Sequence, residues 1–292
     1  MSHNNHRAHL AVGTVSTIAV ATTTVMVVPD TAHATAHRIT GVQYSSNTYP
    51  SSGTNGEDRK EATVDCPGTT SVVGTGFTIT GGSRNVFIED VIPTRDSVTV
   101  RAEEGDAAST QNWSLTARAV CAVEPPGWMI ASAPSTFGSG PSNVASAQCP
   151  DDRVAIGAGF DLSDTNGQLA LTDLELSDDQ VTVTMYEDDT GTNLNWAGTA
   201  YAVCAHEIEG LYVADRDASP GATSENTACR PATENAIGAI GHLNDGAGNV
   251  RLQGLKASNY LDTGLGFTTA ELDQNGTSLP HNLVGELICA RK

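Results

Sequence analysis

One pattern recurs three times along the chain, and it narrows the folds open to this sequence more than any other feature. Each copy opens on a cysteine, runs through an apolar glycine-containing segment and closes on a second cysteine. The first copy holds Cys66-Pro67, Val72 to Phe77 with Gly74 and Gly76, Val98 to Ala102, and Trp113 to Cys121. The second answers with Cys149-Pro150, Ala155 to Phe160 with Gly157 and Gly159, Val181 to Met185, and Trp196 to Cys204. The third is more worn: Cys229, Ala236 to Gly241 with Ile240 at the second glycine position, Gly264 to Thr268, and His281 to Cys289. Lead-in segments begin near Gly41, Gly127 and Gly210, and polar runs at 45–57, 132–143 and 217–226 separate them from the cysteines. A repeat of this length is one supersecondary unit, completed by stacking on its neighbours.

The repeat also selects a cysteine pairing. Six cysteines admit fifteen pairings, but each copy contains one opening and one closing cysteine at matching places. The expected bonds are therefore Cys66–Cys121, Cys149–Cys204 and Cys229–Cys289. Closing loops of this size contributes on the order of 4 kcal/mol each in the chain-entropy model. A Cys/His metal site is disfavoured, since no CxxC spacing occurs and half of the histidines fall in the first 33 residues. No cofactor is expected.

Alternation assigns strands. In the closing segment Trp113, Leu115, Ala117, Ala119 and Cys121 share one face, and Trp196, Gly198, Ala200, Ala202 and Cys204 do the same. The tryptophans are thus expected in the core beside the cysteines. Gly74/Gly76 and Gly157/Gly159 mark a close approach by something bulky. Because the third copy exchanges tryptophan for His281 and glycine for Ile240, the pattern predicts one shared pocket. Trp113 would pack over Gly74/Gly76, Trp196 over Gly157/Gly159, and His281 beside Ile240.

Compartment follows from the first segment. Residues 1–34 read as a secretory signal peptide: a polar start with Arg7, an apolar, threonine-rich stretch from Leu10 to Val28, and Ala32-His33-Ala34 as a cleavage site. No membrane span is expected after cleavage. Acidic residues number 34 against 15 basic, a net charge of −19; residues 1–34 hold one of each (Arg7 and Asp30), so the mature value is unchanged. Such a surface offers nucleic acid no basic patch, so no nucleic-acid partner is expected.

The expected architecture is all-β: a pseudo-threefold β-prism-like fold from three four-stranded repeats, each with a lead-in and one disulfide. The repeats span about 39–122, 123–205 and 206–290 within a single domain, 35–292. A β-trefoil and three separate sandwiches are the alternatives. The Cys-Pro opening, the Gly-x-Gly-Phe strand and the closing cysteine strand, over 39–290, resemble secreted actinobacterial proteins. More distantly they resemble vitelline membrane outer layer proteins, whose resemblance implies a three-repeat β-prism and an extracellular, glycan-associated role. In that family a Cys-Pro-x-Gly strand opens a repeat, matched here by Cys66-Pro67-Gly68 and Cys149-Pro150. Its Asp-Asp-Thr-x-x-Asn stretch is nearest at Asp188-Asp189-Thr190 with Asn193, and the resemblance carries over no catalytic residue.

No GxSxG or HExxH motif is present. Asp161, Asp164, Asn166, Gly167 and Asp173 hint at a calcium loop, but Leu162 breaks its ligand order, so a polar turn is expected. The polar segments before the closing strands, 103–112, 186–195 and 271–280, would gather at equivalent places in a threefold fold. They nominate Asp106, Gln111 and Asn112, then Asp188, Asp189, Asn193 and Asn195, then Asp273 and Asn275, as ligand contacts. The leading expectation is a non-catalytic binding protein for a glycan or cell-surface polymer. A polysaccharide-acting enzyme with paired carboxylates and a structural coat protein are the alternatives.

Overall fold

The computed structural model describes residues 36–292 except 83, 106–110, 163–166, 218–219, 231–232, 247, 261–262 and 273–280. The expected signal segment lies outside the described residues. No helix occurs among those described.

Each copy of the repeat makes six strands. The first gives β1 (Gln43–Tyr49), β2 (Arg59–Asp65), β3 (Thr70–Gly81), β4 (Val86–Pro93), β5 (Ser97–Glu104) and β6 (Trp113–Val123). The second gives β7 (Met129–Pro134), β8 (Ser142–Gln148), β9 (Arg153–Asp161), β10 (Leu169–Ser177), β11 (Gln180–Glu187) and β12 (Thr199–His206). The third gives β13 (Tyr212–Asp217), β14 (Ser224–Ala228), β15 (Glu234–Asn244), β16 (Val250–Tyr260), β17 (Thr263–Leu272) and β18 (Asn282–Arg291).

The four-strand expectation, lead-in apart, is thus one strand short. The strand it misses is the fourth of each set, β4, β10 or β16. Nearly every residue of β4 is buried, so no polar face shows in its sequence. A bulge then shifts the alternation between Ile88 and Asp90, between Leu171 and Asp173, and between Leu252 and Gly254. An inserted residue swaps the faces of everything after it, which hides a period of two.

The strands form three six-stranded antiparallel sheets, ordered β1-β6-β3-β16-β17-β14, β13-β18-β15-β10-β11-β8 and β2-β5-β4-β9-β12-β7. Every sheet joins two three-stranded halves from different repeats. The first, sixth and third strands of one repeat meet the fourth, fifth and second strands of another. The seams are narrow, with two residue pairs each: Thr78 and Phe77 with Gly254 and Leu255, Asp161 and Phe160 with Asp90 and Val91, His242 and Gly241 with Asp173 and Leu174. Each repeat therefore shares a sheet with both others.

The disulfides are Cys66–Cys121, Cys149–Cys204 and Cys229–Cys289, the pairing the repeat predicts, with Cα separations of 5.6, 5.7 and 5.8 Å. In each, the opening cysteine follows the second strand and the closing one lies in the sixth. Those two strands belong to different sheets, so each bond staples one sheet to another.

Core placement follows alternation: Trp113, Leu115, Ala117, Ala119 and Cys121 are all buried, as are Trp196, Ala200, Ala202 and Cys204. The shared-pocket expectation fails. Trp113 pairs in register with Gly81, at the far end of β3 from Gly74 and Gly76. A Cβ on Gly74 would strike the Ile237 carbonyl, and one on Gly76 the Leu255 carbonyl. Gly157 meets Val73 and Gly159 meets Val91 in the same way. The glycines admit neighbouring backbone, not an aromatic ring. His281 is buried near Gly246, while Ile240 pairs with Glu286.

Candidate functional sites at the sheet seams

The three seams occupy equivalent places in the repeats but carry different side chains. Across β2, β5, β4 and β9 runs the row Glu61, Arg101, Asp90, Asp161. Arg101 donates from Nε to Glu61 Oε2 at 2.7 Å and from Nη1 to Asp90 Oδ2 at 3.0 Å. Burial and then the neighbouring Asp161 carboxylate push Asp90 up to about 6, against the pull of Arg101. Beside it, burial and Glu103 raise Glu89, whose Oε2 lies 3.3 Å from Arg59 Nη2. Burial, with Asp161 and Asp90 nearby, also raises the Tyr201 phenol. This seam can hold a proton between carboxylates.

At the second seam the paired residues are Asp173 and His242. The Asp173 carboxylate accepts from Thr172 Oγ1 at 2.8 Å and from the Leu243 amide at 3.2 Å. Burial still leaves its pKa raised. Glu286, with Oε2 3.9 Å from His242 Nδ1, holds the imidazole above its usual value in spite of burial. The calcium-loop residues Asp161 and Asp173 thus stand in different sheets; Asp164 and Asn166 lie outside the described residues.

The third seam pairs Thr78 and Phe77 with Gly254 and Leu255, none of them a carboxylate. Arg118 donates from Nε to Thr78 Oγ1 at 3.2 Å. Past the two seam pairs, β16 diverges from β3 and opens a depression of about 110 Å³, lined by Ser45, Ser46, Thr75, Arg118, Lys256 and Ser258 among others. Burial pushes the Arg118 guanidinium below its usual value, and no carboxylate pairs with Arg118 or Lys256 among the described residues. The Lys256 ammonium instead lies 5.1 Å from the Phe267 ring centroid.

The residues nominated from sequence lie elsewhere. Gln111 and Asn112 are exposed just before β6. Asp188 Oδ1 is engaged within its own turn, accepting from Thr190 N at 3.0 Å, Thr190 Oγ1 at 2.8 Å and Gly191 N at 2.9 Å. Asp189, Asn193 and Asn195 are exposed around Leu194. Asp106, Asp273 and Asn275 lie outside the described residues. Sequence reasoning missed Arg118 and Lys256 because they come from different repeats; their scarcity as cations in an acidic chain was the available signal. Among the described residues no group of three or more His, Cys, Asp or Glu is placed to hold a metal ion.

The chain is an all-β protein of three six-stranded sheets with three disulfides, bonds suited to an oxidising, extracellular environment. No helix among the described residues is long and apolar enough to cross a membrane. No family model matches the chain, and no curated protein is significantly similar to it.

Proposed function

We propose that this chain is a secreted, non-catalytic binding protein for a glycan or cell-surface polymer, with three sheets arranged around a common axis as in a β-prism. Residues 1–34 act as its export signal. The observation that carries this reading is the Arg118/Lys256 depression. A half-buried guanidinium without a carboxylate is costly, and a bound anion relieves that cost. Ser45, Ser46 and Ser258 supply hydroxyls beside it, so an acidic sugar unit, with one anionic group among hydroxyls, is the matching chemistry. The net charge of −19 does not forbid this, because exposed charges beyond about 8 Å are largely screened at physiological salt. Nucleic acid would need many cations in a row.

Asp189, Asn193 and Asn195, exposed on one turn, remain the proposed contacts for neutral sugar hydroxyls, with Gln111 and Asn112 at the corresponding place in the first repeat. The rival enzymatic reading meets a geometric difficulty. Asp90 and Asp161 are direct partners across the seam, close enough for the Asp161 carboxylate to raise Asp90, whereas glycosidase carboxylates stand roughly 5–9.5 Å apart to admit the substrate.

The experiment is retention of the purified protein on immobilised polygalacturonate beside a neutral polysaccharide, with reducing-sugar release measured in parallel. Retention on the acidic polymer alone, lost in Arg118→Gln/Lys256→Ala, is expected. Equal retention of wild type and variant would move the site, and steady sugar release would replace binding by catalysis.

A further inference from the structure

At the joints between repeats, two of three equivalent backbone carbonyls are capped by an aromatic side chain. In the first repeat the carbonyl is that of Val72, paired across the ladder with Cys121. The Trp128 indole Nε1 donates to it at 2.8 Å, and the Arg95 guanidinium lies 6.0 Å from that ring's centroid. Arg95 in turn pairs with Glu124 at 2.6 Å. In the third repeat the carbonyl is that of Ala236, paired with Cys289, and Tyr44 Oη donates to it at 2.8 Å. The equivalent in the second repeat is Ala155, paired with Cys204.

No side chain donates to Ala155 O among the described residues. Leu211 stands where Trp128 does, each following a glycine of positive φ, Gly210 and Gly127. Val213 stands where Tyr44 does, each pairing with the residue before the closing cysteine. Neither can donate. In place of a capping donor there is a groove of about 640 Å³, lined by Ala155, Val154, Leu176, Leu211, Val213 and Tyr212, whose hydroxyl is turned to Glu234 at 2.6 Å. Its rim has also lost its cation. Asp178 replaces Arg95, since each offers its carbonyl to the amide of Ala155 or Val72. Glu207 stands where Glu124 does, three residues after the closing cysteine. Both carboxylates line the groove, both are exposed, and neither pairs with a cation among the described residues.

We propose that this groove binds a small aromatic cation, a molecule with a planar ring, a ring N–H or O–H donor and an amine. The chain's own first joint is the template. The ring fills the space that Trp128 fills, its donor caps the Ala155 carbonyl, and its ammonium sits between Asp178 and Glu207 in place of Arg95. An apolar pocket with a few convergent polar groups is the ordinary form of a small-molecule site, and buried carbonyls favour a partner.

The test is calorimetric titration of the purified protein with tryptamine, with indole-3-acetate as the same ring of opposite charge, and with indole. Tryptamine is expected to bind at least about tenfold more tightly than indole-3-acetate. Asp178→Asn/Glu207→Gln, changes at exposed positions, should remove that preference while leaving indole unaffected. Leu211→Trp should fill the groove, abolish tryptamine binding and raise the thermal midpoint. Equal affinity for the amine and the acid, an unchanged preference in the double variant, or no binding of any of the three, would overturn the proposal.

Discussion

Gly157 and Gly74 meet backbone to backbone: a Cβ on Gly157 would stand 3.2 Å from the Gly74 Cα and closer still to the Val73 carbonyl. Gly74 in turn meets Ile237 and Gly238. The third strands of the three repeats therefore touch through main chain, an approach that any side chain would block.

Gly157→Ala is accordingly expected to destabilise the protein by roughly 1–3 kcal/mol through overpacking, measured by denaturant unfolding. Gly159→Ile should cost at least as much, because its Cβ would meet Val91 O at 2.5 Å and Pro93 Cδ at 2.6 Å. Trp196→His should not rescue it. The tryptophan lies elsewhere, and effects at sites without shared partners add. A rescue would restore the shared pocket that the geometry denies.

The Asp90 seam sets a pH dependence. Its carboxyl has a folded pKa of about 6 against about 3.9 unfolded. Between those values the native state binds more protons than the unfolded state, so stability falls as pH rises from about 4 to about 6. His242 acts in the same sense, since its raised pKa gives stability that is present below its unfolded value and lost as pH rises. Thermal midpoints are thus expected to be higher at mildly acidic than at slightly alkaline pH. Asp90→Asn should flatten that slope and leave neutral-pH stability equal or greater.

What could be read from the chain and what could not divide along sequence distance. The disulfides and the burial of Trp113 and Trp196 follow from position within one copy. The fourth strands escaped because the bulges at Ile88, Leu171 and Leu252 interrupt their alternation. The seams escaped for a different reason. Asp90 with Asp161, and Arg118 with Lys256, belong to different repeats, and no local pattern records which strands of two repeats become neighbours. Polar loops such as 186–195 are conspicuous in a sequence whether or not they bind. A lone arginine within an alternating strand is not.

Each disulfide joins strands of two sheets, so its removal should loosen more than one repeat. Cys149→Ala/Cys204→Ala is expected to cost about 2–5 kcal/mol. Partial proteolysis of that variant should cut in the third repeat as well as the second, because β8 shares a sheet with β13, β15 and β18. Cleavage confined to residues 123–205 would show that the sheets are not coupled in this way.

Lys60 gives the sharpest test of how the Trp113 region is held. Its side chain is buried, its ammonium lies 3.7 Å from the Trp113 ring centroid, and it donates to the carbonyls of Glu57 at 2.6 Å and Asn55 at 3.3 Å. Burial lowers its pKa, opposed by Glu57, Glu104 and Asp58. The second repeat holds its tryptophan differently: Trp196 Nε1 donates to Glu187 at 3.0 Å, whereas the Trp113 indole N–H has no hydrogen-bond partner among the described residues. Lys60→Met keeps the apolar stem but removes the cation–π contact and both hydrogen bonds, and it leaves Glu104 buried without that ammonium. A loss of roughly 3 kcal/mol is expected. Lys60→Met/Glu104→Gln should recover part of it, since a buried carboxylate costs more once a neighbouring ammonium is removed. Denaturant unfolding of the two variants decides the matter: if the double variant is no more stable than Lys60→Met, the Lys60–Glu104 attraction contributes nothing, and the cation–π contact with the two carbonyl hydrogen bonds explains the loss.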